Sequence, residues 1–285
     1  MGYSVRYDFH SHTHFSDGVL SPEQLVARAE EMEIDLLAIS DHDSISGIEQ
    51  AKAYIIANNL NLNLVNAIEI SAQSDFGEIH IVGLNIDIKS SKLLSLIAEQ
   101  QDKRWQRARA YELKFQKLNI QGVLSELETS CKQVVTRSHI ARALVSLGWV
   151  KDNNQAFKKY IGKKGRVRIA TDWIPMEQAI LTIQYAGGLA ILAHPTRYPM
   201  SVRRLGYLIE EFKIANGDAV ELAYPSLTPD KRGWLEVQRK KNDLMASGGS
   251  DFHYPHLKWS DLGRFPMIEK NIPHVLDQIK DRLQS

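Results

Sequence analysis

Short apolar runs alternate with amphipathic stretches along most of the chain, and such an alternation predicts strands that are followed by helices. The apolar runs predict strands at Val5–His10, Asp35–Ser40, Leu62–Ile70, Glu78–Leu84, Gly188–Ala193, Ala219–Leu222 and Leu244–Gly248. The amphipathic stretches predict helices at Pro22–Met32, Ile45–Asn58, Val202–Ala215 and Asp230–Lys240. This order of elements indicates an α/β protein built on a parallel sheet or barrel.

One long segment interrupts this order. Between Ser90 and Trp173 the pattern contains no convincing strand. It predicts one or two helices at Lys89–Leu118 and single helices at Ser138–Leu147 and Asn153–Ile161. We therefore expect a helical insertion, or cap, between two strands of the barrel. It divides the chain into a first barrel part at residues 1–89, the insertion at residues 90–173 and a second barrel part at residues 174–285.

The composition is that of a globular protein and excludes some function classes. The chain has 285 residues, of which 44% are hydrophobic, and its net charge of +1 provides no general basic field for nucleic acid. Cys131 is the single cysteine, so an intrachain disulfide is excluded. The sequence shows no signal segment and no apolar run of membrane-spanning length. We expect a cytoplasmic enzyme with no membrane contact and no obligate protein partner.

Histidine and carboxylate side chains lie at or near the ends of the predicted strands. His10 and His12 end the first strand at a spacing that places both side chains on one face. The full set of such groups is His10, His12, Asp17, His42, Glu69, His80, His194, Asp251 and His253. In barrel enzymes the carboxyl ends of the strands form one rim, which carries the active site. We therefore expect these groups to converge.

Nine converging groups exceed what one metal ion can use. Imidazole and carboxylate suit zinc, manganese and iron, and the absence of thiolates argues against a structural zinc site. Two or three ions that share a carboxylate explain the set best, with Glu69 as a reasonable bridge. Taken alone, His80 could be an ordinary core residue and Asp251 could cap a turn. The combined pattern favours metal binding.

Several phrases of the sequence resemble motifs of the PHP (polymerase and histidinol phosphatase) superfamily. The phrases are Y-D-F-H-S-H-T, S-D-G-x-L-S-P, I-S-D-H-D, E-I-S-A, H-I-V-G-L, L-A-H-P-T-R-Y and G-S-D-F-H, and the resemblance extends from about Tyr7 to Gly263. The phrases T-R-S-H-I-A-R and A-G-G-L-A-I-L are similar to the bacterial branch that contains 3′,5′-nucleoside bisphosphate phosphatases and 5′-to-3′ exoribonucleases. The resemblance implies a distorted seven-stranded (β/α) TIM-like barrel with three divalent metal ions.

The resemblance also implies how these ions share their ligands. It assigns three sets: His10, His12, Glu69 and Asp251; Glu69, His80 and His194; and Asp17, His42 and His253. Manganese is favoured, with zinc and iron as alternatives. His14 stands where a small hydroxyl residue is common in the family, and we expect it outside the ligand sets. Asp41 or Asp43 is expected to orient a ligand imidazole.

Such a metal cluster is suited to hydrolysis of a phosphate ester. A water molecule bound between two metal ions loses a proton near neutral pH, and we expect the resulting hydroxide near Glu69. Neighbouring cations would stabilise the charge that develops on the phosphate oxygens. The group that protonates the leaving oxygen is left open between Asp251 and a metal-bound water.

Substrate selection is expected in the helical insertion. Arg104 and Arg107 share a helix face. Arg137 and His139 begin the next predicted helix, where the helix dipole favours anions. Arg197 is a further candidate because it closely follows a predicted ligand. The alternative for Arg104 and Arg107 is a solvated helix face.

Two other features of the sequence have a less direct interpretation. The basic loop Lys163–Arg168 is interpreted as a solvated turn rather than a nucleic-acid patch. Trp105, Trp173 and Tyr198 are candidates to stack a nucleobase, although core packing explains each of them better.

Paired anion sites predict a substrate that carries two phosphates. We predict removal of the 3′-phosphate from 3′,5′-bisphosphonucleotides and 5′-to-3′ trimming of short 5′-phosphorylated RNA. Hydrolysis of histidinol phosphate is the alternative enzyme hypothesis. A noncatalytic metal-binding module that stabilises a partner would be expected to have lost ligands. A hydrolase of C–N bonds would need a different ligand order.

Overall fold

The computed structural model of the protein describes residues 5–131, 133–255 and 260–284. The strands in these ranges are β1 Tyr7–Asp8, β2 Leu36–Ile39, β3 Asn63–Ser74, β4 Gly77–Leu84, β5 Ile174–Pro175, β6 Leu189–Leu192, β7 Ala219–Ala223 and β8 Met245–Gly248. The helices are α1 Pro22–Glu31, α2 Ile48–Ala57, α3 Ser91–Gln116, α4 Val123–Ser130, α5 Arg137–Ser146, α6 Asn153–Ala156, α7 Met176–Tyr185, α8 Val202–Ile214, α9 Pro229–Lys241 and α10 Val275–Gln284.

Seven of these strands form a nearly closed barrel, as predicted. Their order is β1-β2-β3-β4-β6-β7-β8, and β5 pairs with β3 outside this path. The Phe9 N–H donates to the Gly248 carbonyl at 3.3 Å, and Ser11 forms a parallel bridge with Phe252. These contacts bring the chain that follows β1 beside β8. β1 is shorter than predicted because the chain turns towards β8 after Asp8.

The prediction of a parallel sheet is wrong for β4. β4 is antiparallel to both β3 and β6, whereas the β1–β2, β2–β3, β6–β7 and β7–β8 pairs are parallel. β3 continues to Ser74, four residues beyond its predicted end, so only Asp75 and Phe76 connect it to β4. A two-residue connection can join only antiparallel strands. The start of β4 therefore lies beside the carboxyl end of β3.

The hydrophobic core is arranged in layers around the barrel. The interior is filled by small and branched side chains, including Val65, Ala67, Val82, Ile191 and Ala219. A second layer packs the outer faces of β3, β4, β6 and β7 against α3, α7, α8 and α9. Ser21 caps α1 as predicted, since its hydroxyl accepts the Gln24 N–H at 3.2 Å.

The helices between β4 and β5 have a hydrophobic cluster of their own, which extends from Ala108 to Val167. The predicted helix at Lys89–Leu118 is a single helix, α3, of 26 residues. The predicted Asn153–Ile161 helix divides into α6 and a π-helical turn at Phe157–Ile161. The helices α4, α7 and α10 were not predicted. None of the described helices is both long and apolar enough to span a bilayer.

His274, just before α10, makes the folding stability depend on pH. Its Nδ1 accepts the Leu276 N–H at 2.8 Å, and its Nε2 lies 2.8 Å from the Tyr7 hydroxyl. Burial, together with the charge of Lys280, lowers the pKa of His274 from 6.5 to about 4. Between these pH values the unfolded chain binds a proton that the folded protein excludes. The stabilisation is therefore complete above pH 6.5 and is lost as the pH falls towards 4.

We expect His274→Asn to weaken this pH dependence. The asparagine oxygen can still accept the Leu276 N–H, but the side chain does not titrate. From about pH 7.5 to about pH 5 the wild-type protein should lose about 2 kcal/mol more of its unfolding free energy than the variant. Urea unfolding of both proteins at the two pH values measures this difference. Protonation of the metal ligands affects the stability of both proteins equally and therefore cancels in the comparison. The same pH dependence in both proteins would contradict the assignment.

Candidate metal centre and substrate cavity

Nine histidine and carboxylate side chains converge at one end of the barrel. Their ligand atoms lie within 4.8 Å of one another in four overlapping groups: His12, Asp17, His42 and His253; His10, Glu69 and His194; His10, His12 and Asp251; and His42, Glu69 and His80. The structure thus brings together all nine residues that the sequence predicts as ligands. His14 belongs to none of these groups.

The fully buried Glu69 carboxylate lies at the centre of the cluster. Ring nitrogens of five histidines lie 2.8–3.5 Å from its oxygens: His42, His80, His194, His10 and His12. On β3, Val65 and Ala67 face the barrel interior, and the strand alternation places Glu69 on the same face one step nearer the rim. His80 lies opposite Ser71 on β4, so it is the diagonal neighbour of Glu69.

Two aspartates complete the cluster beside Glu69. Asp17 Oδ1 lies 3.1 Å from His253 Nε2 and 3.6 Å from His42 Nε2. Asp251 Oδ1 lies 3.1 Å from His12 Nε2. The cluster thus extends from the β3–β4 side of the barrel to the loops that follow β1 and β8.

The chemistry and spacing of these groups fit divalent metal ions. Two ligand atoms bonded to one ion at about 2.1 Å are separated by about 3.0–3.4 Å, which agrees with the distances within the cluster. Several buried ligand atoms have no hydrogen-bond partner within the described residues: His10 Nε2, Asp17 Oδ1, His42 Nδ1, Glu69 Oε2 and His194 Nδ1. Buried polar atoms are seldom left unpaired, so these atoms indicate where cations would bind.

The carboxylates and His12 have the ionisation states that suit metal binding, whereas His10, His80 and His253 would release a proton on binding a cation, because nearby carboxylates raise their pKa values despite burial. Burial opposes the ionisation of Glu69, but the imidazoles of His42 and His80 hold its pKa well below the usual range. Burial likewise opposes the ionisation of Asp17 and Asp251, whose pKa values nearby histidines hold low. Burial and the adjacent histidines lower the pKa of His12 to about 3, despite its bond to Asp251. Ionised carboxylates and neutral imidazole are the forms that coordinate cations.

The backbone is strained at two of these positions. His194 follows β6 with a φ of 29°, and Asp251 follows β8 with a φ of 51°. Left-handed conformations of this kind cost about 1–3 kcal/mol in residues other than glycine. Local hydrogen bonds hold them: the His194 N–H donates to Glu221 Oε2 at 2.5 Å, and the Asp251 N–H donates to the His10 carbonyl at 2.8 Å.

Glu221 is a site residue that the sequence analysis missed. It lies on β7 and is almost completely buried, and its Oε1 lies 2.7 Å from Nδ1 of His10. This contact fixes the imidazole with Nε2 directed at Glu69 and Asp251. A carboxylate behind a ligand histidine is the usual orienting partner in metal sites. The position of Glu221 two residues after Ala219, on the strand face that points into the barrel, is the sequence feature that could have revealed it.

The aspartates expected to orient an imidazole have other contacts. Asp41 accepts the Thr13 N–H at 2.7 Å and the Ser16 hydroxyl at 2.5 Å, so it fixes the loop after β1. It reaches an imidazole only indirectly, because Ser16 Oγ lies 3.4 Å from His12 Nδ1. Asp43 accepts the Ser71 N–H at 3.1 Å and forms no contact with an imidazole within the described residues.

Arg104 and Arg107 share a helix face, as predicted, but this face is turned inward. Arg104 is buried, and its guanidinium donates to Asp43 Oδ2 from Nε at 2.7 Å and to Ser71 Oγ at 2.8 Å. Arg107 is buried against the ring of Trp173, and burial together with the charge of Arg104 lowers its pKa to about 10. These contacts do not agree with a role for Arg104 in binding substrate directly.

A cavity of about 690 Å³ adjoins the metal cluster. Its walls include His80, His194 and Arg197 at the barrel rim and Arg137 at the start of α5. Arg137 is exposed, and its Nη2 lies 3.8 Å from Glu78 Oε1. The Arg197 guanidinium contacts Asp251. The predicted cations Arg137 and Arg197 therefore line one cavity with two of the predicted metal ligands.

His139 lies behind Arg137 in the first turn of α5 and caps the helix. Its Nδ1 accepts the Thr136 N–H at 3.1 Å. Burial and the charge of Arg142 lower the pKa of His139 to about 4, so the ring is neutral at pH 7. The Nε2–H is the remaining donor that it can offer to an anion.

Two of the three aromatic stacking candidates belong to hydrophobic cores. Trp173 is buried between Arg104 and Arg107, and Trp105 packs against the helical cluster. Tyr198 lines the cavity, and its hydroxyl donates to the Ala193 carbonyl at 2.8 Å.

Residues 8–192 of the chain match the PHP domain. The chain belongs to the PHP family. This result confirms the resemblance that the sequence motifs indicated, and it agrees with the convergence of the motif residues at one end of the PHP barrel.

Three similar proteins extend the comparison. The 5′-3′ exoribonuclease Rnm of Escherichia coli is 42% identical over 92% of this chain and 89% of its own length. The 3′,5′-nucleoside bisphosphate phosphatase of Chromobacterium violaceum is 34% identical over 90% of each chain. A solved structure from Chromobacterium violaceum, described as an amidohydrolase with bound sulfate and no metal, has a TM-score of 0.88 at 30% identity, covering 98% of this chain and 97% of that chain.

The family and its named relatives confirm the predicted reaction class. The chain is a metal-dependent PHP phosphoesterase, and its clustered histidine and carboxylate side chains are suited to divalent metal ions. The relatives that are 34–42% identical to this chain are named for nucleotide and RNA substrates rather than for histidinol phosphate.

Proposed function

We propose that this enzyme removes the 3′-phosphate from nucleoside 3′,5′-bisphosphates and trims 5′-phosphorylated RNA in the 5′-to-3′ direction. The observation that carries the proposal is the single cavity that joins the metal cluster to Arg137 and Arg197. A phosphate at the metals and a second phosphate at an exposed arginine match the two phosphates of such a substrate. The names of the Escherichia coli and Chromobacterium violaceum relatives support both substrate classes.

The nine clustered side chains would hold three ions, for which we propose manganese. When bound, these ions would supply an activated water for attack and would neutralise charge on the phosphate. Glu69 would be the carboxylate that these ions share, because both its oxygens lie close to ring nitrogens. Glu221 keeps the His10 ring in a fixed orientation. Asp251 forms an ion pair with Arg197 and has a low pKa, which disfavours it as the group that gives a proton to the leaving oxygen.

The segment at residues 90–173 would act as a cap that selects the substrate. Its helices have their own hydrophobic cluster, and α5 presents Arg137 to the cavity. The neutral His139 can donate a hydrogen bond near the start of the same helix. Arg104 acts indirectly in this proposal, since it links α3 to Asp43 and Ser71 on the barrel.

The cavity is less suited to histidinol phosphate, which carries a positively charged amine. Arg137 and Arg197 would repel that amine, and Glu78 is the carboxylate lining the cavity that could attract it. Glu78 already lies beside Arg137, which contributes to a lowered pKa of Glu78 despite its burial. A noncatalytic role is disfavoured because all nine ligand positions are filled by competent side chains.

We expect Arg137→Ala to impair binding of the 5′-phosphate selectively. A hydrogen bond to a charged group contributes about 1.5–3 kcal/mol, so KM for adenosine 3′,5′-bisphosphate should rise about 10- to 100-fold. KM for adenosine 3′-monophosphate, which lacks the 5′-phosphate, should change far less. Steady-state phosphate release from both substrates measures this difference.

Arg109→Ala is the matched control, because Arg109 is an exposed arginine of α3. It should leave both KM values unchanged. An equal effect of Arg137→Ala on the two substrates, or no effect on either, would remove Arg137 from the proposed 5′-phosphate site.

A further inference from the structure

A basic loop at residues 163–168 presents two of its four cations to the substrate cavity. Lys163 and Arg168 line the cavity together with His80 and His194 of the metal cluster. Lys164 and Arg166 belong to the same exposed loop but do not line it. The interpretation of the loop as a solvated turn therefore fits Lys164 and Arg166 but not Lys163 and Arg168.

The loop is held in place by backbone contacts. The Gly165 N–H donates to the Gly162 carbonyl at 2.8 Å, and the Val167 N–H donates to the Tyr160 carbonyl at 2.8 Å. The Val167 side chain is buried in the hydrophobic cluster of the helices between β4 and β5. These contacts fix which side chains of the loop face the cavity.

The two cations that face the cavity are available for an anion. Arg137 and Arg197 lie beside Glu78 and Asp251. In the described part of the chain, neither Lys163 nor Arg168 takes part in a salt bridge. Lys163 Nζ donates to the Pro199 carbonyl at 3.4 Å, which is a long hydrogen bond on an exposed side chain. A phosphate oxygen can replace this carbonyl at little cost.

The cavity has a lining that suits a nucleotide. Its volume of about 690 Å³ lies within the ~300–1,000 Å³ range of small-molecule pockets. Besides these cations, the wall contains the rings of Phe76 and Tyr198 and the side chain of Met200. Surfaces that combine basic and aromatic side chains bind single-stranded nucleic acid, because phosphates pair with the cations and bases stack on the rings.

We propose that Lys163 and Arg168 bind the phosphodiester backbone of single-stranded RNA downstream of its 5′ nucleotide. The proposal rests on the proposed function and deepens it, since it assigns the residues that favour RNA over a mononucleotide bisphosphate. In this proposal a mononucleotide occupies the metal cluster and Arg137, whereas a longer strand continues to the loop.

The experiment compares two double variants of the full-length protein. Lys163→Ala with Arg168→Ala removes the cations that face the cavity, and Lys164→Ala with Arg166→Ala removes the same residue types from the outer side of the loop. Each protein is assayed on a 5′-phosphorylated oligoadenylate and on adenosine 3′,5′-bisphosphate over a range of salt concentrations.

The first variant should lower kcat/KM for the oligoadenylate at least about tenfold and reduce its logarithmic salt slope by about 1.4, as expected for two lost phosphate contacts on a single strand. The loss on the bisphosphate should be several-fold smaller. The control variant should match the wild-type protein on both substrates. An unchanged rate on RNA, or an equal loss on both substrates, would overturn this inference alone. A wild-type protein that cleaves neither substrate would overturn the proposed function as well.

Discussion

Glu69→Gln is expected to lower the rate of phosphate release by about 10³-fold, because Glu69 would be the carboxylate that the bound metal ions share. Five ring nitrogens lie within 3.5 Å of its oxygens, and burial excludes water as a substitute for its charge. The glutamine is nearly isosteric but neutral, so the variant should also bind less than the wild-type amount of metal. Metal analysis of the purified protein and steady-state kinetics at saturating manganese measure the two effects.

Glu49→Gln on α2 is the control for this substitution, because Glu49 is an exposed glutamate that belongs to none of the ligand groups. It should retain both the metal content and the rate. If Glu69→Gln kept the full metal content and a rate within about tenfold of the wild type, the shared-carboxylate role would be contradicted.

Arg104→Met is expected to lower the free energy of unfolding by about 3–5 kcal/mol, because it leaves the buried carboxylate of Asp43 without its cation. Both side chains are almost fully buried, and Arg104 also donates to Ser71 Oγ on β3. Methionine retains most of the volume of the side chain while it removes the charge. Urea unfolding at neutral pH, with the metal content held equal, measures the loss.

Two further variants separate the lost ion pair from other effects. Arg109→Met, on the exposed side of the same helix, should change the free energy of unfolding by no more than about 0.5 kcal/mol. Adding Asp43→Asn to Arg104→Met should recover part of the loss, because the uncompensated charge is then absent. Full stability of Arg104→Met combined with a large rise in KM for the bisphosphate would instead support direct substrate binding by Arg104.

The metal cluster was largely predictable from the sequence because its residues occupy regular positions. His10, His12 and His194 directly end apolar runs, and parallel strands end at a common rim. Glu221 escaped this reasoning because it lies within a strand instead of at its end. A single sequence does not distinguish an inward-facing ligand partner from an ordinary strand glutamate.

The features that the sequence did not predict depend on how elements are oriented. The spacing of Arg104 and Arg107 predicted a shared helix face, but it could not show that this face packs against Asp43 and Trp173. β4 is antiparallel because β3 continues to Ser74, four residues beyond the end that its apolar pattern predicted, and leaves only a short connection to β4. The loop at residues 163–168 shows the same limit, since its composition does not reveal which cations face the cavity.

The division of the chain at residues 90–173 remains a prediction, and the separate hydrophobic cluster of that segment is the feature that supports it. This division would separate two tasks in the enzyme. The barrel would supply the metal ligands, whereas the cap would supply Arg137 and the basic loop.

The most direct test of the central claim is phosphate release from adenosine 3′,5′-bisphosphate by metal-stripped protein before and after the addition of manganese, with histidinol phosphate assayed alongside. We predict release from the bisphosphate only after manganese is added, and little release from histidinol phosphate. Release from histidinol phosphate alone, or no release from either substrate by protein that has bound the metal, would contradict the account.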